Sequence, residues 1–269
     1  MAKKVDISKF PDWGGPGGLP KELKNVFFKL GMADMVRSDD VIGAQPRSWP
    51  ANRLDPTQMD VYLSKSLGMA MGTPDKKGIA GGNLKCIVSS DGYILDGHHR
   101  WAATLFSKPT ASLHGIRVDL PIDQLVPVLR TAGDAFGNKR RGAPPNDLNI
   151  FSSSIDDVME IIETGKGINI DGNKFSPKEW ETSGMKSHAI NWMEKLGGKS
   201  TLRTRLAEIK RHKTPPNSPP RSSMPVIDPD VNEFLQKISE AKGSKGQEII
   251  ISRLLRKGAI DLFPPYGML

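Results

Sequence analysis

At 269 residues, with 38 basic against 30 acidic side chains and a formal charge of +8, the chain is sized for one large domain or two modest ones. Its apolar fraction of 37% and mean hydropathy of −0.39 leave no apolar run that could cross a bilayer, so no membrane partner is expected. The single cysteine, Cys86, excludes an internal disulfide framework and a Cys-rich zinc site, and the basic balance favours nucleic acid or anionic substrates as partners.

Residues 1–39 read as an irregular extension: Trp13-Gly14-Gly15-Pro16-Gly17-Gly18 forbids a regular element, and one helix is expected over 20–35. The opening lacks the apolar core of a signal peptide, which implies a cytoplasmic protein. Residues 44–50 read as a loop. Asp55-Pro56-Thr57-Gln58 then predicts a helix start, with Asp55 as N-cap, Pro56 at the first helical position and Gln58 completing a capping box. Met59, Tyr62, Leu63, Ser66 and Leu67 fall on one face of that helix, which runs to Gly72. Residues 73–82 read as a Gly/Lys-rich loop.

Two short strands follow, 84–89 and 93–95, joined by the hairpin signal Ser90-Asp91-Gly92. Cys86 lies in the first of them and reads as an inert buried thiol rather than a nucleophile. A helix over 98–106, a strand over 112–120 and a helix from Ile122, shortened or kinked by Pro127, complete a unit spanning 40–132. The polar, basic stretch 133–150 is the expected boundary. Beyond it the chain is helical by its punctuation. Ser154 and Gly165 bracket one helix. Ser176-Pro177-Lys178-Glu179 reads as a capping box, and Gly197-Gly198 ends the helical region that follows. Residues 201–213 read as a basic amphipathic helix, 214–227 as a Pro-rich linker, and Asp228-Pro229 and Ser244-Lys245-Gly246-Gln247 as two last helix starts. The fold class is therefore α+β, with a mainly helical part over 151–269.

The chemistry concentrates at Asp96-Gly97-His98-His99-Arg100, a strand-to-helix junction holding two of the five histidines. The first amides of a helix lack internal partners and favour an anion, so two imidazoles and a guanidinium beside them suit a phosphate. Adjacent helical residues point about 100° apart, so His98 and His99 do not chelate one ion, and no metal ligation by the histidines is expected. Packing of His98 with simple exposure of His99 is the plain alternative.

The order helix, strand, hairpin turn, strand ending in Asp96-Gly97-His98-His99-Arg100, helix, strand resembles the ParB/sulfiredoxin fold over roughly residues 40–130. Gly97, Arg100 and Ala103 match ParB's Gly-Glu-Arg-Arg-x-x-Ala, while His98 replaces the cysteine on which sulfiredoxin chemistry depends. The Asp-Gly-His-His-Arg form is similar to that of ParB-like free-serine kinases. That resemblance implies ATP or ADP as nucleotide, a bridging Mg²⁺ and phosphoryl transfer to a hydroxyl on a small molecule or a DNA base. Asp96 would be the general base; Gly97, His98, His99 and Arg100 would hold phosphates, with the last three neutralising the transferring group. Arg53 is a further phosphate candidate. Asp55 and Gln58 are acceptor or Mg²⁺ candidates that compete with their capping roles. The alternative reading is a ParB-like DNA-binding protein or nuclease with nucleotide as a switch, and a third is an interaction protein with a vestigial pocket. Lys139, Arg140, Arg141, Arg203, Lys210 and Arg211 are the candidate contacts to DNA, against a solvated helix face. Compact ParB-like proteins of this kind resemble those of bacteriophages, which would place this one in the host cytoplasm. Oligomeric state is left open.

Overall fold

The computed structural model describes residues 44–126 and 148–225, apart from residues 124, 171, 172, 217, 222 and 223. The helices expected over 20–35 and after Asp228 and Ser244, the boundary segment 133–147 and Lys139, Arg140 and Arg141 lie outside the described residues.

A five-stranded mixed sheet organises the fold, in the order β1-β7-β5-β6-β2. Strand β1 (Ala44–Pro50) runs antiparallel to β7 (Ser112–Val118), and β5 (Gly82–Val88) lies parallel to β7 and antiparallel to β6 (Tyr93–Asp96). The two-residue β2 (Asp55–Pro56) closes the other edge, parallel to β6. The expected hairpin 84–95 is present, and Cys86 is buried within it. Residues 44–50 form a strand and not the expected loop. Pro46 and Pro50 are tolerated because β1 is an edge, where a missing N–H breaks no second ladder.

Six helices are present among the described residues. Helix α1 (Leu63–Met71) and helix α2 (His98–Ser107) pack on each other. Two minimal hairpins accompany them: β3 (Gly72–Thr73) with β4 (Lys76–Lys77) in the expected loop, and β8 (Asn169–Ile170) with β9 (Asn173–Lys174). Helix α3 (Ile155–Thr164) starts at the expected Ser154, whose hydroxyl accepts the Asp157 amide while Asp157 takes the Ser154 amide. Helix α4 (Pro177–Thr182) carries the expected box between Ser176 and Glu179. The chain breaks at Gly184, and α5 (Met185–Leu196) follows. Helix α6 (Gly198–Ile209) begins three residues earlier than the expected 201 and buries Leu202, Leu206 and Ile209 as its pattern requires.

The residues on the two sides of the expected boundary share one core. Leu63, Leu67, Trp101 and Phe106 from one side join Ile161, Ile168, Trp180 and Leu202 from the other in a single apolar cluster. Trp180 donates its indole N–H to the Ile162 carbonyl at 3.0 Å, and Arg205 on α6 reaches the Leu105 carbonyl at the end of α2, 3.3 Å away. The helical part is thus the packing partner of α1 and α2, not a separate body.

One close approach fixes the middle of the sheet. Gly115 faces Cys86 across the parallel pair, and a Cβ there would stand 2.1 Å from the Cys86 carbonyl oxygen, so only glycine permits this register. Burial pushes the Cys86 thiol up to about 12. Since the thiolate is the reactive form, native protein at pH 8 is expected to react with a disulfide reagent only after a denaturant opens the sheet. Rapid labelling of the folded protein would contradict this burial.

Candidate functional site

Gly97 turns the chain from β6 into α2. Its φ of 102° is left-handed, and a Cβ there would stand 3.0 Å from the Cys86 sulfur, so both the turn and the layer beneath it call for glycine. No side chain caps the helix start, and the first intrahelical bond is made by the Trp101 amide to the Gly97 carbonyl. The amides of His98, His99 and Arg100 therefore precede the internal ladder, the arrangement that favours an anion.

Asp96 and Arg100 flank this start. Arg100 Nη2 lies 2.9 Å from Asp96 Oδ2, with the two side chains 32% and 42% exposed. An exposed pair of this kind is worth about 0–1 kcal/mol, so a competing anion can draw the guanidinium away at small cost.

The histidines do something else. His98 Nε2 accepts the Thr57 amide at 3.1 Å, an amide shared with the Ile94 carbonyl at 3.2 Å, and His99 Nε2 accepts the Tyr62 amide at 3.2 Å. A ring nitrogen that accepts an N–H carries a lone pair, so each imidazole is neutral. Both residues are buried. Desolvation, reinforced by the nearby Arg221 charge, drives His98 down to about 3. Desolvation together with Lys65, Arg221, His98 and Arg100 drives His99 down to about 2. The expectation that these two rings neutralise a phosphoryl group is corrected: as they stand they carry no charge, and they staple residues 57–62 to the start of α2.

That staple also displaces the helix expected at Asp55. Asp55 and Pro56 pair with Tyr93 and Ile94 as β2, Thr57 bonds back to Ile94, and helix α1 does not begin until Leu63, with Tyr62 as its N-cap. Asp55 caps nothing; its Oδ1 lies 2.8 Å from His212 Nδ1. Gln58 is buried and outside any helix, while Met59, expected on the apolar face, is among the exposed residues. Arg53 sits exposed in a 3₁₀ turn (Ala51–Arg53).

Residues 214–227 were expected as a linker. Their described part, together with His212 just before it, instead returns across the site. His212 meets the Trp101 ring edge-on at 5.1 Å, the Ser218 hydroxyl donates to the Thr57 carbonyl, and the Arg221 amide donates to Asp60 Oδ2 at 3.0 Å. The Arg221 guanidinium stacks on the Tyr62 ring, 4.7 Å from its centroid, and that ring lies 5.5 Å from the His99 ring. Sequence reasoning missed Tyr62, Lys65 and Arg221 as neighbours of the histidines. Nothing local marks Arg221, because only the fold brings it to Asp60 and Tyr62.

Of the candidate DNA contacts that are described, Arg203 and Arg211 are exposed on and after α6, and the Lys210 ammonium donates to the Ser153 carbonyl. Among the described residues no group of three or more His, Cys, Asp or Glu side chains is arranged to hold a metal ion. No helix among the described residues is long and apolar enough to cross a membrane. Comparison with protein-family models, with curated proteins and with solved structures gives no match to this chain.

Proposed function

We propose that the protein is a ParB/sulfiredoxin-like enzyme of the cytoplasm that binds ATP or ADP at the start of α2 and transfers a phosphoryl group to a hydroxyl acceptor. The observation that carries this reading is the uncapped start of α2, opened by Gly97 and flanked by the half-exposed Asp96–Arg100 pair. The order α1, β5, β6, α2, β7 agrees with the element order that the resemblance implies.

Under this reading the amides of His98, His99 and Arg100 hold phosphate oxygens, and the Arg100 guanidinium turns from Asp96 to the same anion. His98 and His99 act through the backbone by fixing residues 57–62 against the helix start. The released Asp96 carboxylate takes the proton of the acceptor hydroxyl. The hydroxyl oxygen bonds to the terminal phosphorus as the bond from phosphorus to the nucleotide's bridging oxygen breaks. Positioning and charge supply most of the rate in such reactions. Mg²⁺ carried by the nucleotide would neutralise part of the phosphate charge.

Radiolabelled γ-phosphate transfer to free serine, nucleosides and DNA tests the reading. Asp96→Asn is expected to lower transfer by about 10²-fold, the lower end for a lost general base, with nucleotide affinity kept. DNA cleavage without transfer would replace the kinase reading with a nuclease. DNA binding modulated by nucleotide, again without transfer, would favour the switch.

A further inference from the structure

No helix or strand follows α6 among the described residues, yet the chain there has a shape of its own. Pro215, Pro216, Pro219 and Pro220 lack the N–H groups that a ladder needs and hold φ at about −65°. The Ser218 amide bonds to the Pro215 carbonyl at 3.0 Å, and the Met224 amide to the Arg221 carbonyl at 3.2 Å. None of these side chains belongs to the shared apolar cluster, whose last member in the sequence is Ile209. The segment is therefore an attachment to the core and not part of it.

Its contacts fall on one surface. His212 Nδ1 lies 2.8 Å from Asp55 Oδ1, the Ser218 hydroxyl bonds to the Thr57 carbonyl, and the Arg221 amide bonds to Asp60 Oδ2 at 3.0 Å. The Arg221 guanidinium covers the Tyr62 ring. The surface thus offers carboxylates and an aromatic face to a segment that carries His212, Lys213 and Arg221, a complementary arrangement of charge. The fit is not perfect: Arg221 Nε is buried with no hydrogen-bond partner, which costs the docked state free energy. The surface also has its shape without the segment. Asp55 and Pro56 pair with Tyr93 and Ile94, His98 and His99 take the Thr57 and Tyr62 amides, and Tyr62 bridges to Asn149. A receptor fixed from beneath and a ligand stiffened by proline both lose little freedom on meeting.

We propose that Asp55, Thr57, Asp60 and Tyr62 form a docking surface for proline-rich peptides with an arginine after a proline pair, occupied in cis by residues 212–221. The partner is a segment of that chemistry on another protein, which binds by displacing the cis segment. Pro219-Pro220-Arg221 is the template for it. The surface needs no nucleotide and stands whether or not the chain transfers phosphate.

The test is fluorescence anisotropy of a labelled synthetic peptide spanning 210–225, titrated with the full chain and with the full-length variant S218A/R221A. That variant loosens the cis segment. A linked segment competes at an effective concentration on the order of millimolar, so the wild type is expected to bind the peptide about ten-fold or more weakly than the variant. Adding Asp60→Ala to the variant should weaken binding on the order of ten-fold, as for loss of a charged hydrogen bond. A peptide that itself carries R221A should lose about as much.

Equal peptide affinity for the wild type and the variant would show that the two segments do not compete, and overturns the proposal. So does equal affinity of the native and R221A peptides, a comparison that asks nothing of the protein's fold. No binding to either protein overturns it as well. Wild-type dimers that Asp60→Ala dissociates, with no peptide bound, give the surface to a second copy and overturn the peptide reading. If S218A/R221A does not fold, S218A alone takes its place and the two peptides decide.

Discussion

Lowering the pH from 7.5 to 5 is expected to cost the folded protein about 4 kcal/mol through His98 and His99 alone, at about 1.4 kcal/mol per pH unit for each residue below its unfolded pKa. The sign follows from the depressed values. Above about 6.5 both rings are neutral whether folded or not, and their contribution is fully present. Below that the unfolded chain takes up two protons that the folded protein refuses until about pH 3 for His98 and about 2 for His99. The unfolded state binds more protons, so stability falls as pH falls. The capping carboxylates Asp157 and Glu179, held below their usual range by bonds from Ser154 and Ser176, act only in more acid solution. Urea unfolding at pH 7.5, 6 and 5 measures the slope. The double variant His98→Gln, His99→Gln offers an amide oxygen for each Nε2 and cannot titrate, so its profile should be markedly flatter between pH 6.5 and 4.5. Parallel profiles for the two proteins would mean that the rings are not buried acceptors.

Replacing Trp101 by alanine should destabilise the protein by about 3–5 kcal/mol, the range for a large aromatic side chain removed from a core. The side chain is fully buried in the shared cluster, and its indole N–H donates to the Ala51 carbonyl at 3.0 Å. The cavity would open between α2 and the 3₁₀ turn, and His212 would lose the ring it meets edge-on. Trp101→Phe should cost less, since most of the volume stays and the Ala51 carbonyl is the main loss. Denaturant midpoints at pH 7.5 rank the three proteins. Equal midpoints for the alanine and phenylalanine variants would show that the hydrogen bond, not the volume, holds this corner.

The legible parts of the sequence were those whose signal is local. The hairpin 84–95, the turn at Gly97 into α2, the helix start at Ser154 and the capping box at Ser176 all rest on residues within a few positions of one another, and each forms. The illegible parts were decided at a distance. Asp55-Pro56-Thr57-Gln58 satisfies every local rule for a helix start, yet the parallel pairing with Tyr93–Ile94 and the His98 acceptor for the Thr57 amide offer those residues other partners. Residues 44–50 look like a loop because proline is judged without knowing that the strand is an edge. His98 and His99 were legible as the centre of the candidate site but not in their state. The sequence places them beside Arg100, while only the fold shows Thr57 and Tyr62 donating to them. Arg221 carried no readable signal, since a Pro-rich stretch looks the same whether it hangs free or lies on a surface.

The return of the chain onto the loop 55–62 also ties the site to the order of synthesis. Asp60 waits for the Arg221 amide 161 positions later, and Asp55 for His212. Chains emerge N-terminus first and fold in units as they do so. Because α3 to α6 share the core of α1 and α2, these elements close as one unit, and until residues 212–221 have emerged Tyr62 is uncovered and Asp55 and Asp60 are without these partners. A product cut short before residue 212 would be held in that state. The region that receives Arg221 thus reports whether translation ran past it, and a shortened chain would display an acidic, aromatic surface where the finished protein carries a cation.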